Sequence, residues 1–430
     1  MRIQYFGINF MTIIDNFRPL ISPLIWGKQG SKYTIQIKYI ILFIFIPLIV
    51  SAQLSTYNIN GYVKYLFTSS KNPGINERLN DNLIHGRINT RWYPTMSISA
   101  ALEVRLRAYY GDSVEKIPNF ASSIKEDYVY DLNAEFWSRK RTLGLGEIDR
   151  LYIDYLGDQF EFTLGRQRAA WGTSLVWNVI DLFNPMSFLD FDYEARPGMD
   201  AVRLQYFASE LSKLDMVVKA GKNKYERGYA GLFSVNYWDY DFYILAAFHN
   251  NRKTFGGAWA GDIKGGGFRG EFKISDPPSR GPQTNYPVPF SQLFGGNLTE
   301  YDDPVFSGVL SGDYTFTNSF YIHTEMLYNS NGKKNNAGLF WQQINEASML
   351  SPARWSLFQE FSYDITPLIK GDIFAIYNPD DHSSLTAPSV KWSLMTDLEL
   401  MSILYVTSGA SRTEFGGYGS SLFFRLKYSF

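Results

Sequence analysis

The stretch Tyr57-Asn-Ile-Asn-Gly-Tyr-Val-Lys-Tyr-Leu-Phe67 decides the fold. Tyr57, Ile59, Gly61, Val63, Tyr65 and Phe67 fall on one face, and Asn58, Asn60, Tyr62, Lys64 and Leu66 on the other. Successive strand side chains point to opposite faces, so this is a strand with one apolar and one mostly polar face. Residues 83–93 repeat the pattern, with Ile84, Ile88 and Trp92 opposed to His85, Arg87, Asn89 and Arg91. After the turn at 94–96, Ala100, Leu102, Val104 and Leu106 oppose Glu103, Arg105 and Arg107. A soluble sandwich has no place for Arg and Glu at the centre of one strand after another. A lipid-facing exterior around a wet interior does.

Composition agrees. Of 430 residues, 17% are aromatic and 19% charged, the net charge is −1, and mean hydropathy is −0.19. That balance is too polar for a bundle of membrane helices and too aromatic for a disordered chain. It excludes a nucleic-acid partner bound by bulk basicity. The absence of cysteine excludes a disulfide scaffold, a thiolate metal site and a cysteine nucleophile.

Connection lengths alternate. Tight turns fall near 94–96, 157–159, 208–212, 238–239, 262–266, 317–318, 365–366 and 395–397. Long connections lie between them, at 68–82, 110–146, 169–197, 222–228, 276–305, 330–352, 378–385 and 408–418. An up-and-down barrel produces this pattern, because every second connection lies at the same rim. The reading is all-β: a transmembrane antiparallel up-and-down β-barrel of about 18 strands, with 16 as the alternative. The alternative arises because 254–275 is glycine-rich. Segment 128–138 also alternates, and is assigned to the outer loop 110–146. The chain ends Leu422-Phe-Phe-Arg-Leu-Lys-Tyr-Ser-Phe430, a closing strand with a terminal Phe of the kind read by the outer-membrane barrel assembly machinery.

Residues 1–52 are set apart from the barrel at 53–430. Tyr39–Val50 is an apolar run of 12 residues, preceded by Lys32 and Lys38 and followed by Ser51-Ala52. It is too short to span a bilayer, which needs about 20 residues, and fits a leader and signal peptide cleaved after Ala52.

By parity, the predicted pore lining is Arg87, Arg91, Glu103, Arg105, Arg107, Arg150, Glu325 and Glu360. Two arrangements of these charges are open. One is a basic wall facing an acidic wall, which sets up a transverse field that orients polar solutes. The other is mutual pairing inside a polar interior. Loop 169–197 is too apolar for a solvated loop, with Leu175, Val176, Trp177, Val179, Ile180, Leu182 and Phe183. It is predicted to fold inward as a constriction, with Arg166, Arg168, Trp171, Asp190, Asp192, Arg196 and Asp200 around it. An external cap on the rim is the other reading.

The run Leu164-Gly-Arg-Gln-Arg168, followed by Trp171-Gly172, Asp181-Leu-Phe-Asn-Pro185 and Pro197-Gly198, resembles the alginate-export and related outer-membrane porin families. The resemblance implies an 18-stranded channel with an arginine-rich lumen. This chain departs from that pattern in its near-neutral charge and acidic sector, so alginate as solute is not implied.

Enzymatic readings find no support. No Gly-x-Ser-x-Gly elbow and no metal-ligand spacing occurs, and His323 beside Glu325 is a pairing common by chance. No cofactor or metal is implied. The expected function is an outer-membrane channel for small polar or anionic solutes. Its partners are outer-membrane lipid and the barrel assembly machinery. Alternatives are a polysaccharide export conduit, or a non-conducting barrel whose loops 276–305 and 330–352 bind a surface partner.

Overall fold

The structure, a computed structural model, describes residues 56–71, 77–126, 128–183, 196–223, 225–277, 304–344 and 348–430. The segment 1–52 expected to be a leader, Asp190 and Asp192 lie outside the described residues. So do most of loop 276–305 and the masked part of 345–347 in loop 330–352.

Among the described residues, nineteen strands form one antiparallel sheet. They are β1 Tyr57–Lys71, β2 Arg78–Trp92, β3 Ile98–Gly111, β4 Asn133–Arg139, β5 Thr142–Leu156, β6 Phe160–Gln167, β7 Met199–Ser209, β8 Ser212–Lys219, β9 Gly228–Tyr237 and β10 Tyr240–His249. The series continues with β11 Arg252–Ile263, β12 Gly266–Ser275, β13 Val305–Thr315, β14 Tyr321–Asn329, β15 Trp355–Thr366, β16 Ile369–Asn378, β17 Ser383–Met395, β18 Leu398–Ser408 and β19 Ser420–Ser429. Eighteen of them close the barrel, because β3 pairs directly with β5 and β1 pairs with β19. The terminal residue completes the seam: Phe430 and Gly61 exchange both backbone hydrogen bonds, at 2.9 and 3.0 Å. Closure leaves neither end strand with an unpaired edge.

The remaining strand, β4, belongs to the long connection between β3 and β5. Two short helices, α1 Asp112–Lys116 and α2 Phe120–Ser123, precede it. Its residues 133–139 pair with 147–142 of β5, whereas β6 pairs with 151–156 of the same strand. So β4 continues the sheet along β5 where β6 has already departed. The alternation at 128–138 was a true strand signal. Its assignment to the outer loop also holds, since it adds no strand to the closed circuit. The eight predicted tight turns share one rim, while two further two-residue turns, at Lys140-Arg141 and Asn250-Asn251, lie at the other.

The faces follow the sequence parity. Outward positions carry exposed apolar side chains, among them Ile84, Leu102, Ile153, Phe233, Ile244, Phe361 and Phe424. Lys64, His85, Arg87, Arg105, Glu271, Glu325 and Arg425 point inward and are buried. One bulge breaks the alternation. Glu103 pairs with Arg150 but Val104 pairs with Ile148, so Asp149 is extra. The extra residue lets Glu147, Asp149, Arg150, Tyr152 and Asp154 all face inward.

An apolar exterior of this height makes outward positions sensitive to charge. Ile244→Arg, mid-strand on β10 and 55% exposed, is expected to destabilise the barrel in lipid bilayers by about 2–4 kcal/mol. Urea titration of the folded fraction in vesicles checks this. An unchanged midpoint would contradict the facing.

Candidate functional site

The long connection after β6 turns into the barrel. Gln167 anchors its start by donating to the carbonyls of Thr163 and Ala201, at 3.0 and 3.1 Å. Trp171 Nε1 donates to Asp215 on β8 at 3.0 Å. Gly172 has φ +121°, and a Cβ there would meet the side chain of Asn178 at 2.3 Å, so the bend needs glycine.

Two carboxylates then hold the irregular backbone. Glu271 on β12 accepts from the N–H groups of Thr173, Ser174 and Ile180, at 2.5, 2.7 and 3.0 Å. Glu325 on β14 accepts from those of Leu175, Val176 and Trp177, at 2.7, 3.0 and 3.0 Å. These side chains are 1% and 0% exposed. A loop inside a barrel has backbone donors with no ladder to join, and each unpaired one is costly. A buried carboxylate is itself costly by several kcal/mol. Three hydrogen bonds to a charged acceptor, at about 1.5–3 kcal/mol each, offset it. Each need satisfies the other.

Apolar packing fixes the loop's two flanks. Ala169, Trp171, Ile180, Leu182 and Phe183 pack on Met199, Ala201, Val217, Ala230, Leu232, Leu245 and Ala258, the inner faces of β7–β11. Trp177 and Val179 pack on Val309, Leu327, Phe358, Ile376, Leu385, Ile403 and Tyr405, the inner faces of β13–β18. The loop thus crosses the barrel interior and covers the apolar part of its wall. Over residues 169–183 this bears out the inward fold.

Most of the inward charges on β2, β3 and β5 are paired. Arg87 binds Glu103 and Asp149, the latter at 2.5 Å. Arg105 and Arg107 share Glu147, at 2.8 and 3.1 Å, and Tyr128 donates to the same carboxylate at 2.9 Å. Arg91 binds Asp154 at 3.0 Å. Of the two arrangements left open, these strands show mutual pairing, with arginines interleaved with carboxylates. Cross-strand neighbours put the opposite charge within reach, and pairing relieves the cost of desolvation. Sequence parity missed Glu147 and Asp149, because the bulge shifts them onto the face where strict alternation puts Ile148. It also missed Glu271 and Asp215, which inward parity on β12 and β8 does mark.

The five described residues of the seven predicted for the constriction separate. Arg168, Trp171 and Arg196 do belong to the inward loop or its return. Arg196 binds Asp181 at 2.6 Å and accepts at its carbonyl from Arg150, while Arg168 stands near Arg196, Asp181 and Arg150. Arg166 and Asp200 do not face the interior. They pair with each other at 2.9 Å and share the outward register of Leu164 and Val202. Arg166 also donates to the carbonyls of Ile148 and Tyr130 and lies on the Tyr128 ring. It fills the seam where β6 ends and β4 begins, so its role is to close the wall.

At the long-connection rim, a further buried carboxylate ties three connections together. Glu414, between β18 and β19, accepts from Ser351 Oγ at 2.7 Å and Asn378 Nδ2 at 2.9 Å, and its N–H donates to Asp381 at 2.8 Å. Burial, with Asp381 adding repulsion, pushes its carboxyl up to about 8.

In comparisons with known proteins, the sequence matches no protein-family model and no curated protein. Solved structures do share its fold. OccAB2 of Acinetobacter baumannii is 9% identical with a TM-score of 0.52, covering 87% of this chain and 98% of that one. The outer membrane protein OprD from Pseudomonas aeruginosa is 9% identical with a TM-score of 0.51, covering 88% and 94%. OccD3 (OpdP) of P. aeruginosa is 7% identical with a TM-score of 0.52, covering 88% and 92%. At these identities the likeness is one of fold. The alginate-export resemblance finds no support in these matches.

Replacing the anchors should free the loop. Glu271→Gln and Glu325→Gln each turn an acceptor oxygen into a donor facing backbone N–H groups. Each is expected to cost about 1–3 kcal/mol and to expose 173–183 to limited proteolysis. The rim carboxyl gives a pH dependence. A carboxyl raised in the folded state favours its protonated form, so stability is greatest in acid. It falls as pH rises from about 4.5 through about 8, then levels off. Glu414→Gln should flatten this part of the pH profile of thermal unfolding in detergent.

Proposed function

We propose that this chain is an outer-membrane channel through which small polar or anionic solutes cross passively, narrowed by its inward loop. One observation carries the reading: a closed barrel with an apolar exterior holds segment 169–183 across its interior on Glu271 and Glu325. A structural barrel has no use for a buried, hydrogen-bonded constriction. A wide export conduit for polysaccharide would be obstructed by one.

The lining we assign is Arg87, Arg91, Glu103, Arg105, Arg107, Arg150, Glu325 and Glu360. Their roles divide. Glu325 and Arg150 are taken up in holding the loop and its return. Arg91, Glu103, Arg107 and Glu360 keep side chains 35%, 20%, 11% and 25% exposed, and are the ones a solute would meet. Alternating cations and anions suit polar solutes that exchange water for wall contacts stepwise. Residues 1–52 serve as the leader, and Phe430 ends the strand presented to the assembly machinery.

Planar-bilayer conductance of the mature protein, with reversal potential under a salt gradient, tests this. Discrete steps are expected. The double variant Arg91→Gln, Arg107→Gln should shift selectivity towards cations. Absence of any conductance would overturn the channel reading in favour of a barrel whose loops bind a partner.

A further inference from the structure

Glu325 does not hold the loop unaided. His323 lies two residues earlier on β14 and shares its inward face. Its Nε2 is 3.1 Å from Glu325 Oε1, the oxygen that also takes the N–H groups of Leu175 and Val176. Its Nδ1 is 3.4 Å from Glu360 Oε2 on β15. Ser311 Oγ on β13 is 3.3 Å from Nε2, and the ring packs on Phe358 at 5.1 Å. His323 is 1% exposed. Among the described residues, no lysine or arginine forms an ion pair with Glu325.

The chemistry of the ring makes this arrangement conditional. A neutral imidazole has one N–H and can donate to only one of the two carboxylates. The imidazolium donates to both and sets a positive charge beside Glu325. Other charges face the ring from the neighbouring strands. Glu360 abuts Asp372 and Lys370 of β16, and Asp313 of β13 is paired with Arg269 of β12. Tyr321 lies on the same strand. Leu175, Val176 and Trp177 bring no titratable group.

We propose that His323 is the positioning residue for the constriction loop, so that its protonation holds 175–177 against β14 and its deprotonation at higher pH loosens them. Sensitivity of passage to pH follows from this on the channel reading; the loop response itself does not depend on that reading. The effect is sought in the neutral-to-alkaline range, where an imidazole changes charge.

The chain has no cysteine, which allows clean spin labelling. Labels at Leu175→Cys, whose side chain is 44% exposed, and at Thr317→Cys in a tight turn report the loop-to-rim distance. The experiment is double electron–electron resonance on the full barrel, from about pH 6 to about pH 9. The displaced fraction should rise about tenfold across this range, the equivalent of one hydrogen bond. His323→Gln should abolish the pH step, and His323→Lys should keep the loop held throughout. A distance distribution that ignores pH in the unsubstituted background would overturn the proposal. So would a pH step that persists in His323→Gln, or loosening in His323→Lys. The same variants in planar bilayers separate the two claims. A loop response without current sustains the role of His323 and removes the channel reading. Current with no pH-linked loop response does the reverse.

Discussion

Irregular backbone inside a barrel needs hydrogen-bond acceptors that the barrel's own ladder does not supply. Glu271 and Glu325 meet that need with six bonds to segment 173–180. The constraint is mutual. The loop that excludes water from the two carboxylates also supplies their hydrogen-bond donors. Without the carboxylates, consecutive N–H groups would be orphaned. The small inward residues of β7–β11, such as Ala201, Ala230 and Ala258, and the larger ones of β13–β18 make sense only as the surface on which this loop rests.

The remaining wall follows from the same electrostatics. On β2, β3 and β5 most of the inward charges satisfy one another as side-chain pairs. One bulge at Asp149 supplies the extra inward carboxylate that Arg87 uses. The seam between β4 and β6 is a third solution. There Arg166 donates to two carbonyls and to Asp200, where the sheet would otherwise leave acceptors unpaired at a change of neighbour. Loop, wall and seam are three answers to one question: where buried polar groups of a closed sheet find partners.

Much of this was legible in the residues. Period-2 alternation placed the strands and their faces, and connection lengths placed the two rims. The apolar content of 175–183 announced a loop that turns inward. Harder to read was anything that depends on which residues meet across the barrel. Arg166 looks like its neighbour Arg168 in sequence, yet a register position separates a wall staple from a loop residue. Glu271 sits in a glycine-rich strand with no motif around it, and only the arrival of 173–180 makes it an anchor.

By itself, the sequence determined the barrel, its strand faces and the existence of a constriction. Those properties depend on local periodicity, which a strand imposes every second residue whatever lies opposite. The tertiary structure alone decided the pairing of the arginines, the identity of the anchoring carboxylates and the placement of His323 between two of them. Those depend on strand register and a single bulge, and one residue's slip there exchanges the partners of every side chain across the seam.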